Sequence, residues 1–235
     1  MRHIYILAIL LLAVAFDASA QHRSMRNLHD YNNKLWHFGF SVGINTMNFG
    51  VTKCDDFYAL TDVYGVESKK YTGFHVGPIS NLRLNRYFDF RMLFDLSFNQ
   101  RDLVYYYYES ETSTQILNQT LSVNSTLLEF PFHFKYRAER MHNFAPYLIA
   151  GGNIRYDLTG SKPKEGEQTV KLTKIDPCVE WGGGFDFYLP YFKFSIEVKY
   201  SMGINNCLQY DDTMYTKVIK DLKSNALLIS FHFEG

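Results

Sequence analysis

Long apolar runs are scarce in this chain, and so is an excess of charge of either sign. After residue 20, no stretch is apolar over the roughly 20 residues that a membrane-spanning helix needs. Lys and Arg together number 24, as do Asp and Glu, so the formal net charge is zero. A balanced chain gives no indication of a polyanionic partner, and we therefore expect no nucleic-acid ligand.

The N-terminus holds the one long apolar run, and its pattern is that of a signal peptide. A basic start, Met1-Arg2-His3, precedes the apolar run Ile4–Phe16, and Ala18-Ser19-Ala20 supplies a small-x-small cleavage site. The run is about 13 residues long, too short for a transmembrane anchor. The residue directly after Ala20 is Gln21 and not Cys, which argues against a lipoprotein. We predict a signal peptide over residues 1–20 and an exported protein, which without helical spans can cross a membrane only as a closed barrel.

Aromatic residues, in contrast, are abundant at 17% of the chain, and they follow a period of two. The clearest example is the stretch Tyr191–Asn205, in which every even position from 192 to 204 is apolar and every odd position from 193 is polar or Gly. Such alternation predicts a β-strand with one apolar and one polar face. Globular strands average about 5–6 residues, whereas an outer-membrane strand needs about 9–11. The length of this stretch favours a membrane barrel.

The same alternation predicts eight strands. They lie at about residues 36–48, 71–84, 88–108, 122–137, 145–158, 177–189, 191–205 and from 224 to the end. Connections after the first, third, fifth and seventh strands are long, and the others are short, which is typical of external loops and periplasmic turns. We predict an all-β fold, an eight-stranded antiparallel up-and-down transmembrane β-barrel of outer-membrane type. Residues 21–35 are predicted to be a periplasmic leader and residues 36–235 the barrel, with both termini periplasmic.

The polar faces of the strands distinguish this barrel from a soluble, lipocalin-like one, which would have an apolar interior. Seven basic and seven acidic residues fall on these faces: Arg83, Arg91, Lys135, Arg137, Arg155, Lys193 and Lys199, with Asp89, Asp95, Glu129, Asp157, Glu180, Asp186 and Glu197. These charges can neutralise one another in a narrow lumen, where an unpaired charge is costly. Eight strands leave an interior that side chains can fill, so we expect a plugged barrel and not an open pore.

Two local features of the strands carry structural predictions. Gly182-Gly183-Gly184 is followed by no helix pattern, so we interpret Gly182 and Gly184 as making room in the lumen for a larger neighbour. Pro131 falls on the polar face of the fourth strand and predicts a bulge or a local break in pairing.

Residues with catalytic or metal-binding chemistry do not form a recognisable set. His37, His75, His133 and His232 fall on the interior faces of four separate strands, which favours hydrogen-bonded lumen histidines over a metal site. Ser80 lies on an outer face that carries no His, so a lipid-facing catalytic triad is not indicated. We expect no enzyme, no catalytic, cofactor or metal residues, and no small-molecule substrate.

The three cysteines, Cys54, Cys178 and Cys207, form an odd set in an oxidising compartment and map to the external ends of strands. Cys178 begins the sixth strand and Cys207 follows the seventh. The two strands form a hairpin, so these strand ends approach each other, although the two cysteines are not in register. We predict a Cys178–Cys207 disulfide with Cys54 free; three unpaired thiols are the alternative.

A block near the N-terminus resembles a known family. Leu28-His29-Asp30-Tyr31-Asn32-Asn33-Lys34 precedes His37-Phe38-Gly39-Phe40 and then Gly43-Ile44-Asn45-Thr46-Met47-Asn48-Phe49. This arrangement is similar to the start of PorT-family proteins, although Tyr31-Asn32 stands where that family has Phe-Asp. The rest of the chain has the pattern of a generic outer-membrane barrel.

The resemblance implies an accessory component of the type IX protein secretion system, which exports proteins bearing a C-terminal sorting domain. It implies contacts with other secretion components, such as the large translocon barrel, besides outer-membrane lipid. The alternative is a generic small outer-membrane barrel acting as a surface adhesin, an integrity protein or a minor porin.

Overall fold

The computed structural model describes residues 26–54, 63–108, 116–159, 172–209, 216 and 218–235, so the predicted signal peptide lies outside the described residues. A short 3-10 helix, Tyr31–Asn33, precedes the first strand. The strands are β1 (Trp36–Lys53), β2 (Val63–Arg83), β3 (Phe88–Leu93), β4 (Asp95–Tyr108), β5 (Ile116–Arg137), β6 (Phe144–Asp157), β7 (Ile175–Tyr188), β8 (Lys193–Gly203) and β9 (Ile219–Glu234). In these residues, no helix has the length and apolar character to cross a membrane.

The sheet closes on itself as a barrel with eight strand positions around its circumference. The strands at neighbouring positions pair antiparallel, and β1 pairs with both β2 and β9. β3 and β4 are separated by Phe94 alone and occupy one position between β2 and β5. Because the last strand pairs with the first, the sheet has no open edge. The predicted eight-stranded antiparallel barrel is confirmed.

The break between β3 and β4 lies opposite Pro131, as the sequence predicted. Pro131 pairs with Asn153 of β6 without a register shift, so there is no bulge on that side. On the other side, pairing of β5 with β3 ends at Phe132 and pairing with β4 begins at Glu129. Pro131 therefore faces the gap, where its missing N–H interrupts no hydrogen bond.

Several strands are longer than their apolar pattern suggested. β1 continues to Lys53, β2 begins at Val63, β5 at Ile116 and β9 at Ile219. Added residues such as Phe49, Val66 and Leu222 are buried, whereas Glu67 and Lys220 are exposed. The inner face is therefore apolar here, the reverse of the pattern in the rest of the strands, although the backbone pairing continues. The long loops are correspondingly shorter than predicted.

The barrel has two distinct ends. Short connections at residues 84–87, 138–143 and 189–192 lie at one end with residues 26–35 and Gly235, and we call it the turn end. The longer connections lie at the opposite end, which we call the loop end. The predicted alternation of long and short connections is confirmed.

Apolar side chains point outward around the whole barrel. Phe38, Phe134 and Leu148 are 65%, 58% and 63% exposed, respectively. Rings on neighbouring strands pack against each other across this surface, for example Phe40 with Phe233 at 4.7 Å between ring centroids. A soluble barrel would expose polar residues here, so the lipocalin-like alternative is excluded. This surface suits contact with membrane lipid.

Candidate functional site

Charged and polar side chains fill the lumen. Twelve of the fourteen predicted lumen charges are buried, whereas Arg83 and Asp157 lie half-buried at the two ends. The buried ones are Asp89, Arg91, Asp95, Glu129, Lys135, Arg137, Arg155, Glu180, Asp186, Lys193, Glu197 and Lys199. The structure adds Arg101, Asp176 and Glu234, which sequence reasoning missed.

Arg91 is the centre of the largest group of ion pairs. Its guanidinium lies 2.6 Å from Glu197 and 3.5 Å from Glu234. The Tyr147 hydroxyl donates to the same Glu197 carboxylate at 2.9 Å, and Lys193 contacts Glu234 at 2.8 Å. These groups come from β3, β6, β8 and β9, so the network joins strands across the interior. Their mutual compensation makes the burial of full charges tolerable.

A second pair lies beside this group. Lys135 contacts both carboxylate oxygens of Asp186 at 2.8 and 2.7 Å, and the Ser195 hydroxyl donates to Asp186 at 2.7 Å. The Lys135 ammonium also lies 3.7 Å from the centroid of the Tyr147 ring, a cation–π contact. A Cβ built on Gly184 would lie 2.6 Å from the Tyr147 hydroxyl oxygen. Gly184 therefore makes room for Tyr147, as the sequence predicted for this glycine.

Glu180 organises the third group. Its carboxylate contacts His133 at 2.7 Å, Lys199 at 3.1 Å and the side-chain amide of Asn153 at 2.8 Å. The same Asn153 amide donates to Glu129 at 2.7 Å, which also faces Arg155. Positive and negative side chains of the described strands are thus paired with one another through the lumen.

The loop end of the lumen is closed by apolar packing over Arg101. The Arg101 guanidinium donates to Ser224 at 2.6 Å and Ser125 at 3.0 Å, and lies 4.3 Å from the Phe49 ring centroid. Above it lies a buried apolar cluster, which we call the loop-end cluster: Phe49, Val63, Val66, Leu103, Tyr105, Leu121, Leu172, Cys207, Leu208, Val218, Ile219 and Leu222. This cluster separates the charged lumen from the loops.

Tyr31 closes the turn end. Its ring stacks on His37 at 3.8 Å with an interplanar angle of 12°, and meets Tyr188 edge-on at 5.9 Å. Its hydroxyl donates to Glu234 at 3.1 Å, beneath Lys193, whose ammonium lies 4.9 Å from the ring centroid. Burial raises the pKa of Tyr31, which keeps the hydroxyl protonated as a donor. The leader is thus docked against the barrel and inserts one side chain into its mouth.

Arg140 fastens the leader to the turn between β5 and β6. Its guanidinium donates to the backbone carbonyls of Asn27 and Leu28 and to the Asn143 side chain, and it stacks on the Tyr188 ring at 3.7 Å. It also donates to the carbonyl of His142. Leu28 and His142 have positive φ values of 49° and 55°, which are uncommon outside Gly. Arg140 therefore holds the two most unusual backbone positions of this region.

An arginine-rich cleft of about 240 Å³ opens beside the leader at the turn end. Its walls come from the leader, from the ends of β2 and β5 and from the turns that follow these strands: Arg26, His29, Arg83, Arg86, Tyr87, Arg137, Ala138, Glu139 and Arg140. Arg86 pairs with Glu139 at 2.7 Å, and Arg137 pairs with Asp89 at 3.5 Å. Burial lowers the pKa of Arg140, and the charges of Arg26 and Arg137 act in the same direction. Five guanidinium groups make this the most positive concavity described in the molecule.

The four predicted lumen histidines all point inward and are buried. His75 lies 3.0 Å from the Ser230 hydroxyl, and His232 lies 3.5 Å from Glu197. Ser80 faces outward between Phe38 and Met92 on the flanking strands. Within the described ranges, no group of three or more His, Cys, Asp or Glu could hold a metal ion.

The predicted Cys178–Cys207 disulfide is wrong, because all three cysteines are free thiols. Cys178 is paired in the ladder with Gly203, four residues before Cys207, so the two cysteines are out of register. The Cys178 thiol instead donates to Asp176, and the Cys207 backbone N–H donates to Leu222 beyond the end of β8. Unpaired thiols, the alternative, describe the structure.

This geometry, an apolar exterior around a closed polar lumen, defines a transmembrane barrel of outer-membrane type. The chain belongs to the family described as outer membrane protein beta-barrel domain, whose profile matches residues 19–209. The protein is therefore assigned to the outer membrane. No match was found among curated proteins.

Solved outer-membrane proteins share the general architecture. OprG from Pseudomonas aeruginosa is 14% identical, with 86% of this chain and 94% of that chain covered and a TM-score of 0.49. Neisserial surface protein A is 12% identical, with 83% and 96% covered and a TM-score of 0.43. Ail of Yersinia pestis, solved with the heparin analogue sucrose octasulfate, is 12% identical, with 86% and 100% covered and a TM-score of 0.39. At these scores the likenesses are loose, and the family match and the strand pairing define the fold.

Proposed function

We propose that this protein is a non-conducting outer-membrane barrel that acts through the surfaces it presents on either side of the membrane, as a structural or interaction protein. The observation that carries the proposal is the filled lumen, in which Arg91, Lys135, Arg155, Lys193 and Lys199 are less than 2% exposed. Tyr31 closes one end and the loop-end cluster closes the other. A minor porin would need a polar path between these two ends.

The orientation we propose places the turn end in the periplasm and the loop end outside the cell. The longer connections at the loop end support this orientation, because outer-membrane barrels carry short periplasmic turns and longer external loops. The predicted signal peptide at residues 1–20 and the leader at residues 21–35 fit the same orientation. Both termini then face the periplasm.

We assign the barrel no enzymatic activity, no cofactor and no small-molecule substrate. His75 and His133 are engaged inside the lumen and buried, out of reach of a substrate. Ser80 on the lipid face has Phe38 and Met92 beside it on the flanking strands, and neither side chain can act as the base of a nucleophile pair.

A second candidate function is the one implied by the PorT resemblance, an accessory component of the type IX secretion machinery. The observation that favours it is the position of the leader, whose residue Tyr31 docks on His37 of the matching block. A docked leader presents a folded surface at the turn end, which suits contact with a larger translocon barrel. No catalytic residue is required by this role.

Deletion of the gene for this barrel separates the two candidates. For the secretion component, proteins with the C-terminal sorting domain should accumulate in the periplasm while envelope permeability stays normal. For the general surface barrel, export should remain intact and surface binding or envelope integrity should change. Normal export of all sorting-domain proteins would contradict the secretion role, and normal surface properties and integrity would contradict the general one.

A further inference from the structure

The arginine-rich cleft at the turn end has the features of an anion-binding site. Arg26 approaches from the leader, Arg83 from the end of β2 and Arg86 from the turn after it. Arg137 lies at the end of β5 and Arg140 in the turn that follows. Glu139 is the only acidic residue lining the cleft in the described part of the chain. A guanidinium group presents a planar fork of donors that matches phosphate and carboxylate oxygens. The cleft thus supplies far more positive charge than its own carboxylate neutralises.

The size of the cleft restricts what it can hold. Its volume is about 240 Å³, below the roughly 300–1,000 Å³ of pockets that enclose drug-sized ligands. A small charged group such as one phosphate with its glycerol fits this space, whereas a bulky ligand does not. Much of such a ligand would lie outside the cleft, against the neighbouring surface.

That neighbouring surface is apolar and faces lipid. Leu84 and Met141 are 52% and 59% exposed in the two turns, and Tyr136 is 47% exposed at the end of β5. Tyr87 belongs both to the cleft and to this surface, since its ring packs near Tyr136 at 6.5 Å while its hydroxyl donates to Glu139 at 3.1 Å. A positive cleft bordered by exposed apolar residues at a membrane boundary combines the contacts that an anionic headgroup and its acyl chains need.

We propose that the cleft binds the phosphate group of an anionic glycerophospholipid from the periplasmic leaflet, with the acyl chains lying against Leu84, Tyr136 and Met141. Arg83 and Arg86 contact the phosphate directly, and Arg26 forms the opposite wall. The proposal rests on the orientation given above, in which the turn end is periplasmic. Because the leader contributes Arg26 and His29, the bound lipid also stabilises the docked leader.

The test is a binding titration with the folded full-length mature protein in uncharged detergent, monitored by calorimetry. The probes are dihexanoyl phosphatidylglycerol, dihexanoyl phosphatidylcholine, inorganic phosphate and an octaglutamate peptide. We expect the phosphatidylglycerol to bind at least about tenfold more tightly than each of the other three. The double variant R83Q/R86Q should lose about tenfold or more in affinity, because it removes two charge-assisted contacts.

Two further variants keep the result interpretable. K174Q/K223Q removes the same charge from the loop end and should bind the lipid as the wild type does. Arg86→Glu changes one side chain that is 71% exposed, so it tests the site if the double variant does not fold. It should also weaken binding.

Each contrary outcome is distinct. Equal affinity of wild type, R83Q/R86Q and R86E for the lipid would overturn the site. Equal binding of inorganic phosphate would assign the cleft to a free anion, and tighter binding of octaglutamate would assign it to an acidic protein segment; either result overturns the lipid assignment. None of these outcomes affects the closed lumen, so failure here leaves the proposed non-conducting function standing.

Discussion

At the scale of single residues, the lumen depends on carboxylates that accept from two or more donors. The Asp186 carboxylate accepts hydrogen bonds from Lys135 and Ser195. The Glu180 carboxylate contacts the side-chain nitrogens of His133, Lys199 and Asn153. Each carboxylate lies fully inside, so its charge is compensated by neighbours instead of water. Removal of one partner leaves the other charge buried without compensation, which costs more than the pair itself contributes.

The pair Lys135–Asp186 provides a direct test of this compensation. Lys135→Met should lower the free energy of unfolding by about 3–5 kcal/mol, because it leaves Asp186 charged and buried. The double variant K135M/D186N should recover most of that loss. Urea unfolding of the purified barrel, followed by its heat-dependent gel shift, measures both values.

The matched control is Lys223→Met, which removes a Lys from an exposed pair with Asp221 at 3.8 Å. An exposed pair contributes about 0–1 kcal/mol, so this variant should unfold almost as the wild type does. A loss for K135M as small as that for K223M would show that lumen pairs do not support the fold.

At the scale of elements, the leader is part of the barrel's closure. Residues 26–35 contact the turn after β5 and the ends of β7 and β9 through Arg140, Tyr188 and Glu234. The sequence predicted a periplasmic leader at residues 21–35 and no particular contact with the barrel. The docking arises because Tyr31 fits between His37 and Tyr188 at the mouth.

Arg140→Ala should release the leader while leaving the strands intact. Loss of hydrogen bonds to a charged group, worth about 1.5–3 kcal/mol each, should speed amide hydrogen exchange in residues 26–34 by about tenfold or more. Exchange measured by mass spectrometry in detergent reads this segment directly. Lys223→Ala removes a cation at the loop end, opposite the leader, and serves as the control. Equal exchange in both variants would mean that Arg140 does not hold the leader.

Much of the barrel could be predicted from the alternation of apolar and polar residues, but the interactions across the lumen could not. The period of two placed Arg91 and Glu197 on inner faces, whereas their contact depends on how β3 and β8 face each other after closure. Glu234 continues the alternation of Phe231, His232 and Phe233 and could have been found. Arg101 continues the odd, inner-face register of residues 89 to 99, but Gln100 and Asp102 beside it are polar, so the alternation no longer marks its face.

At the scale of the whole molecule, the lumen is filled or covered at three successive levels along the barrel axis. Tyr31 and the leader cover the turn end, ion pairs fill the middle, and the loop-end cluster covers the opposite end. The exterior remains apolar and in contact with lipid, as the outer-membrane family requires. We therefore propose that the two exposed ends carry the function of the barrel and that nothing is transported through its interior.

Single-channel recording in planar bilayers tests this central claim most directly. The folded state is first verified by its gel shift on heating, and a known porin reconstituted in the same lipid shows that insertion can be detected. We predict no steady conductance from the folded wild-type barrel over a range of applied voltages, because paired charges and the two closed ends block the lumen. Stable, large conductance steps from the same verified preparation would contradict the closed-barrel account and support a porin.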